Sequence, residues 1–342
     1  MPNAFGRFFG LPVFILILFG VLFCPSAIVA EQTEEIIGHE FGIYYTSQKR
    51  DTLISLSERF FDSQSYWPEL WKDNPHIKNP YEIPPGERIR LFHRSGTKKI
   101  PKQLLMGKVR PEKEAPFSIY APIHAAGFIK AAPVSPLGSI FKVMDDKTII
   151  SERDTIYLWR TDNGSFAAGN RYVVCRILNM PEKSVPPGIG LRYQLAGIVE
   201  IGDIKPDYCV GNIVQSFRPI RINDQLIPYE QRSSKIVLTQ CRNGINGRII
   251  ASEDDKEIMG DGDIAFVDKG RRDGILSGQQ YVLYDQERRV NPKTNQEVSV
   301  GPNDFGTILV LIAEENASTV VITQSDKKVS VGDRFRTPSL MD

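Results

Sequence analysis

The pattern of hydrophobic and polar positions first indicates a strand followed by a helix. Residues 43–46 are β-branched or aromatic, as is typical of a short strand. Leu53, Leu56 and Phe60 then recur at helical spacing, and Thr52 stands before them as a candidate N-cap. We therefore predict that the first structured part of the chain is a β-α unit.

A second helix and a second strand complete a small module. Residues 66–73 are predicted to be helical, and Pro75 ends this helix because proline disfavours helical geometry at the residue before it. A proline-rich loop over 79–86 then leads to a last strand over 88–91. The order is β-α-α-β, which predicts a small α+β module at residues 41–93.

The C-terminal part of the chain contains an internal repeat. An alignment of the chain with itself at an offset of 109 residues gives 15 identities over the 91 positions from Gly138 to Pro228. Composition alone would give roughly five. Each copy is rich in short β-branched runs bounded by turn residues. We therefore predict two duplicated, mainly-β domains, each a barrel or a sandwich, at residues 138–230 and 236–338.

The segment between the module and the repeats differs in composition. Residues 94–137 are rich in proline and lysine and show weak periodicity, which predicts a semi-extended linker. The predicted fold is therefore multidomain, with an α+β module, a linker and two mainly-β domains.

The N-terminal residues are typical of a targeting segment. Arg7 is the only charge before Glu31, residues 11–23 are almost entirely apolar, and small residues lead up to Ala30. This pattern predicts a secretory signal peptide over residues 1–30, cleaved near Ala30. A permanent membrane anchor is the alternative, although the apolar run is shorter than the ~20 residues that a spanning helix needs. We expect an exported protein of the periplasm, the cell wall or the outer envelope.

Charge and cysteine content narrow the possible partners and cross-links. The chain has 42 Lys plus Arg against 41 Asp plus Glu, a formal net charge of +1. Nucleic acid is therefore not an expected partner, because there is no excess of cations to displace counterions from phosphate. Cleavage after the signal peptide leaves Cys175, Cys209 and Cys241, an odd number. The sequence does not decide between a Cys175–Cys209 disulfide and buried thiols.

The module resembles a known family. The matching pieces occur in order and at the right spacing, and they are Tyr45-Thr46, Asp51-Thr52-Leu53, Trp67-Pro68-Glu69-Leu70-Trp71, Asn74-Pro75-His76-Ile77, Asn79-Pro80 and Ile83-Pro84-Pro85-Gly86. In this respect the module is similar to the LysM domain, a carbohydrate-binding module of cell walls. The family usually has glycine before the Asp-Thr pair, where this chain has Arg50, which is expected to narrow the groove or to shift the backbone. The repeats are weakly similar to small β-domains of flagellar or cell-envelope assembly factors.

The resemblance implies binding of glycans that contain N-acetylglucosamine, which in bacteria means peptidoglycan. The groove would lie between the loop at 50–53 and the loop at 79–84. The implied glycan-binding residues are Asp51, Thr52, Leu53, Asn79, Pro80, Ile83 and Pro84. Asp51 and Thr52 equally fit a role as helix caps. The three large residues of the second helix, Trp67, Leu70 and Trp71, are expected to form the core.

The sequence predicts no catalytic residue, no metal site and no cofactor. No histidine follows His124, which excludes histidine-dependent hydrolytic centres and histidine-ligated zinc from the repeats. Carboxylate pairs could act on a glycan. The pairs are Asp145-Asp146, Asp254-Asp255 and Asp261 with Asp263, and their Lys or Gly neighbours favour exposed turns instead.

The expected function is that of an exported, non-enzymatic peptidoglycan-binding protein that anchors or scaffolds the envelope, with other envelope proteins as possible partners of the β-domains. One alternative is a carboxylate-dependent cell-wall hydrolase targeted by the module. The other is an assembly protein whose module has lost glycan binding, and Arg50 is the residue that motivates it.

Overall fold

The computed structural model shows a small α+β module followed by two six-stranded barrels. It describes residues 41–93, 100–105, 115–145, 147–162, 164–180, 185–286, 288–290, 297–299 and 301–339. The signal peptide predicted over residues 1–30 lies outside these ranges. Among the described residues, no helix has the length and apolar character needed to cross a membrane.

The strands and helices fall into three groups along the chain. The N-terminal part contains β1 (Gly42–Thr46), α1 (Leu53–Phe61), α2 (Trp67–Lys72), β2 (Arg88–His93), α3 (Lys102–Leu105), β3 (Phe117–Ile119) and β4 (Phe128–Lys130). The first repeat contains β5 (Gly138–Val143), β6 (Thr155–Arg160), β7 (Arg171–Leu178), β8 (Leu191–Ile204), β9 (Cys209–Ser216) and β10 (Gln225–Pro228), and β11 (Lys235–Val237) follows it. The second repeat contains β12 (Asn246–Ser252), β13 (Ile264–Val267), β14 (Gln280–Asp285), β15 (Arg288–Val290), β16 (Glu297–Ser299), β17 (Asn303–Ala313), β18 (Ser318–Ser325) and β19 (Arg334–Arg336). Short 3₁₀ turns occur at Gln64–Tyr66, Ala121–His124 and Arg271–Asp273.

The module has the predicted β-α-α-β order. α1 begins at a capping box, in which the Thr52 hydroxyl accepts from the Ser55 N–H at 3.0 Å and the Ser55 hydroxyl accepts from the Thr52 N–H at 2.9 Å. The helix ends at Asp62, whose left-handed backbone has a φ of 52°. Its apolar face, which includes Leu56 and Phe60, is buried against the strands. The predicted α+β module is therefore confirmed.

Both repeats are closed barrels with the same topology. In the first, β5, β6, β9, β8, β7 and β10 pair in that order, and β10 pairs back with β5. In the second, β12, β13, β18, β17, β14 and β19 repeat this order and close in the same way. An isolated bridge between Ile150 and Ile220 recurs between Met259 and Val329, again 109 residues later. The duplication is confirmed, and the architecture is a barrel.

Matched glycines explain part of the repeat signature. Gly169 and Gly278 have φ angles of 79° and 86°, in the left-handed region where a side chain is strained. Their N–H groups donate to equivalent carbonyls, Ile201 at 2.7 Å and Val310 at 2.9 Å. The identity of these glycines between the two copies therefore follows from one turn that both barrels need.

The segment predicted to be a linker takes part in two sheets. β3 pairs with β1 and with β11, so the sheet of the module has the order β11-β3-β1-β2. β4 pairs with β8 of the first barrel. Each of these strands has three residues, too few to show a period, and their partners lie far away in the sequence. The hydrophobic pattern therefore does not reveal them.

The module shares a hydrophobic core with the second barrel. Leu53 and Leu91 of the module belong to the same buried cluster as Val282 and Leu309 of the barrel. Leu104 of α3 joins this cluster as well. The module therefore packs against the second barrel through a continuous apolar interior.

The two barrels meet at the turn between β12 and β13. Arg192 of the first barrel is 2% exposed, and its guanidinium donates to Asp255 in this turn at 2.7 Å. Arg218 of the first barrel lies 3.3 Å from the Glu253 carboxylate, which is itself buried. Charges from both repeats are therefore held together in the contact between the barrels.

Glu253 is the buried carboxyl of this contact. Its carboxylate accepts from the Gly127 N–H at 3.0 Å. Burial raises the pKa of Glu253 from 4.5 to about 7, although the Arg218 charge and the Gly127 hydrogen bond oppose the rise. The folded chain therefore holds a proton here over an interval of pH in which the unfolded chain has lost it.

We expect Glu253 to make the free energy of unfolding fall as the pH rises from 4.5 to about 7. Its folded-state pKa is raised, so its contribution is fully favourable below this interval and is lost above it, a change of about 3 kcal/mol. Glu253→Gln should flatten the dependence, and urea unfolding on either side of the interval measures it.

Glu257→Gln is the matched control, because it removes an exposed carboxylate from the same turn, and Glu257 is not among the charges that shift the pKa of Glu253. This variant should keep the pH dependence of the parent chain. An unchanged dependence in Glu253→Gln would show that another group causes it.

Candidate functional site

Two loops of the module lie side by side at one end of its sheet. The first joins β1 to α1, and the second precedes β2. The Leu53 N–H donates to the Pro80 carbonyl at 2.9 Å, and the Ile83 N–H donates to the Asp51 carbonyl at 3.4 Å. The structure therefore brings together the two segments that the sequence assigned to one groove.

Asp51 supports the first loop from within. Its carboxylate is 1% exposed and accepts from the Tyr45 hydroxyl at 2.7 Å and from the Gln48 N–H at 2.8 Å. Burial, followed by the hydrogen bond to Asp51, raises the pKa of Tyr45 to about 12, so this hydroxyl remains a donor. The Asp51 side chain, which the sequence predicted to contact a glycan, therefore stabilises the conformation of the first loop.

The other predicted residues divide into buried and accessible groups. Leu53, Pro80 and Ile83 are buried, so the side chains of these three residues and of Asp51 are not presented to a ligand. What these four positions can offer a ligand is their backbone. The physical reason is that a domain of this size needs its loop residues to close the core. Asn79 and Pro84 are exposed, and Thr52 is partly exposed.

Asn79 shapes the second loop and positions a neighbour. Its side-chain oxygen accepts from the Tyr81 N–H at 3.0 Å, which closes a turn of the Asx type. Tyr81 is thereby held at the surface with 61% of its side chain exposed. Tyr81 was not among the residues predicted from the sequence, although its position after Pro80 in a stiff loop was an available signal.

Tyr81 continues into a row of aromatic rings. The ring centroids of Tyr81 and Trp67 are 6.2 Å apart, and those of Trp67 and Trp71 are 5.9 Å apart. The Trp71 indole donates to the Ile77 carbonyl at 2.7 Å, which fixes its orientation. Leu70 is fully buried as predicted, and Trp67 and Trp71 pack against the core. Both tryptophans are only partly buried, and with Pro75 and Ile77 they also line an open hollow.

Arg50 keeps the backbone that a glycine would adopt. Its φ is 72°, in the left-handed region, and its side chain is exposed. The arginine therefore leaves the loop conformation intact, and its side chain is not buried between the loops. The substitution stores backbone strain at the edge of the candidate groove.

A comparison with protein-family models identifies the module. Residues 45–92 match the model of the LysM domain. These residues are a LysM domain. No curated protein matches the chain. The LysM match ends before the barrels, so the family assignment covers the N-terminal module.

The acidic residues of the barrels have structural partners. Among the described residues, no group of three His, Cys, Asp or Glu side chains could hold a metal ion. Asp263, from the candidate pair with Asp261, accepts from Lys256 at 2.6 Å and from the Gly260 N–H at 2.9 Å, so it organises a turn. Asp255 binds Arg192 between the barrels, and Asp146 lies outside the described residues.

The three cysteines of the barrels are free thiols. The disulfide between Cys175 and Cys209 that the sequence left open is not formed. Burial raises the pKa of Cys175 to about 12 and that of Cys241 to about 11. These thiols are therefore poor nucleophiles.

We expect Arg50→Gly to stabilise the chain by about 1 kcal/mol, because glycine relieves the strain of the left-handed backbone. Thermal and urea unfolding of the full chain measure this change. Lys49→Gly is the matched control, since Lys49 is exposed, adjacent and not in the left-handed region. A gain in Lys49→Gly of the same size, or none in Arg50→Gly, would contradict the strain argument.

Proposed function

We propose that this chain is an exported, non-enzymatic protein that binds peptidoglycan or another N-acetylglucosamine-containing glycan through its LysM domain. In this role it anchors or scaffolds the cell envelope. The observation that carries the proposal is the LysM domain at residues 45–92, with its two loops held side by side. The signal-peptide pattern at the N-terminus supports export to the periplasm or the cell wall.

The loops are suited to a neutral, hydroxyl-rich ligand. They are stiffened by proline and by hydrogen bonds from one loop to the other, such as Ser47 Oγ to the Pro84 carbonyl at 2.6 Å. A loop that is already ordered loses less entropy when it binds. Sugar hydroxyls exchange hydrogen bonds with backbone groups, and sugar CH faces pack on apolar side chains. Tyr81, an exposed aromatic residue of the second loop, supplies such an apolar surface.

The barrels contribute contacts rather than catalysis in this proposal. Their acidic residues close turns or join the two barrels, as Asp263 and Asp255 do. Their thiols are buried or protonated. Other envelope proteins are the expected partners of their surfaces. A single LysM domain binds a glycan weakly, and a second attachment raises the effective affinity.

The test is co-sedimentation of the full chain with insoluble peptidoglycan. Point variants are needed because deletion of the module would expose the core that it shares with the second barrel. Tyr81→Ala should lower the affinity roughly three- to tenfold, since it removes one apolar face from the ligand. Soluble N-acetylglucosamine oligomers should compete with the insoluble glycan.

Ile258→Ala is the control for general surface hydrophobicity, because Ile258 is 60% exposed and lies on the second barrel. It should bind as the parent chain does. A full chain that stays in the supernatant and shows no response to the soluble oligomers would refute glycan binding and favour a module with an assembly role alone.

A further inference from the structure

The outer surface of the first barrel carries four aromatic side chains, which we call the aromatic face: Phe141, Tyr157, Trp159 and Tyr208. They come from β5, β6 and the residue before β9, three neighbouring strands of the barrel. The Phe141 and Trp159 rings stack with centroids 3.8 Å apart, and the Tyr157 and Tyr208 rings are 5.8 Å apart. Trp159 is 48% exposed and the other three are partly exposed.

The duplication supplies an internal comparison for this face. At an offset of 109 the equivalent residues of the second barrel are Ile250, Phe266, Asp268 and Ala317. Phe141 and Ile250 occupy the same bulge, opposite β6 in one barrel and β13 in the other. In the second barrel Ile250, Phe266 and Ala317 are completely or almost completely buried.

The first barrel, together with β4, which pairs with its strand β8, covers the second barrel. Ile129 of β4 and Ile189 before β8 belong to the same buried cluster as Ile250 and Phe266. Polar contacts complete the cover. The Thr319 hydroxyl donates to the Gly127 carbonyl at 2.8 Å, and the Asn316 amide donates to the Gly188 carbonyl at 2.8 Å.

The difference in exposure is specific to this face. Ile149 and its equivalent Ile258 are 61% and 60% exposed, so an uncovered position looks alike in both barrels. Met144, the residue that follows β5, is exposed, whereas its equivalent Glu253 is buried in the contact between the barrels. The same patch of the fold is therefore open in one copy and closed in the other.

The exposed patch of the first barrel carries larger aromatic side chains than the covered patch of the second barrel. Tryptophan and tyrosine stand at Trp159 and Tyr208, where the covered barrel has Asp268 and Ala317. A cluster of exposed aromatic residues on a folded surface marks an interaction site, and Trp and Tyr are enriched among the residues that dominate binding energy. The aromatic face therefore has the composition of an interface.

We infer that the aromatic face binds a second copy of this chain, whose second barrel covers it as the first barrel covers the second within one chain. Within one chain the loop between β7 and β8, which holds Ile189, contacts this patch of the fold, and repetition of that contact between copies is a head-to-tail interface. The backbone supports this direction. In the first barrel, Ile189 lies in the loop between β7 and β8. The paired strands β15 and β16 lie between β14 and β17, which is the equivalent position in the second barrel.

Sedimentation velocity of the full chain over a wide range of concentration tests the inference. The average mass should rise with concentration. Trp159→Asp places the residue of the covered barrel on the open one, and it should raise the dissociation constant roughly tenfold or more. Ile149→Asp is the control, because Ile149 is 61% exposed and is therefore at least as accessible as Trp159, and this variant should associate as the parent chain does.

Circular dichroism and thermal unfolding establish that both variants are folded. A chain that remains monomeric at every concentration overturns the inference, as does a folded Trp159→Asp variant that associates normally. Loss of peptidoglycan binding in Trp159→Asp with no change in association also overturns it, because the face would then contact glycan.

Cross-linking of a mixture of isotopically light and heavy chains tests the head-to-tail arrangement. Lys142 lies on β5 beside the aromatic face. Mixed-isotope links from Lys142 to lysines of the second barrel are expected. Links that join Lys142 of one copy to Lys142 of another would show that two aromatic faces meet, which overturns the proposed arrangement. These outcomes do not depend on whether the LysM domain binds glycan.

Discussion

A module of about fifty residues buries too little apolar surface to be firmly stable by itself. In this chain the module gains buried apolar surface by sharing its sheet and its core with neighbouring parts of the chain. The module adds β3 and β11 to its two strands, and its core continues into the second barrel through Val282 and Leu309. The loops of the candidate groove depend on the same arrangement, because Leu53, which follows the first loop as the first residue of α1, and Ile83 of the second loop both belong to the shared core. The shape offered to a glycan is thus set by packing that extends well beyond the LysM domain.

Duplication gave two barrels with the same pairing order, and their surfaces then diverged. The second barrel turns its β12-β13-β18 side towards the first, where Arg192 and Arg218 meet the acidic turn that contains Glu253. The equivalent side of the first barrel is formed by β5, β6 and β9. In the part of the chain that the structure describes, no segment covers this side, and its aromatic side chains remain at the surface. The same side of the barrel fold is therefore a contact within the chain in the second barrel and an exposed surface in the first.

The sequence was informative where a pattern is local or repeated. The helical spacing of Leu53, Leu56 and Phe60, and the constant offset between the repeats, predicted the module and the duplication. It was uninformative where structure depends on distant partners, as for the three-residue strands β3 and β4. The same limit affected the candidate site. Asp51 was named from its motif, whereas its burial beneath Tyr45 follows from packing that the motif does not contain.

The shared core between the LysM domain and the second barrel has a mechanical consequence. A binding domain on a flexible linker can rotate relative to the rest of the chain, so its bound orientation does not determine the orientation of the other domains. Here the LysM domain and the second barrel share one hydrophobic core, so the domain is packed against the barrel and not tethered to it. Attachment at the loops would then also set the orientation in which the barrels project from the polymer.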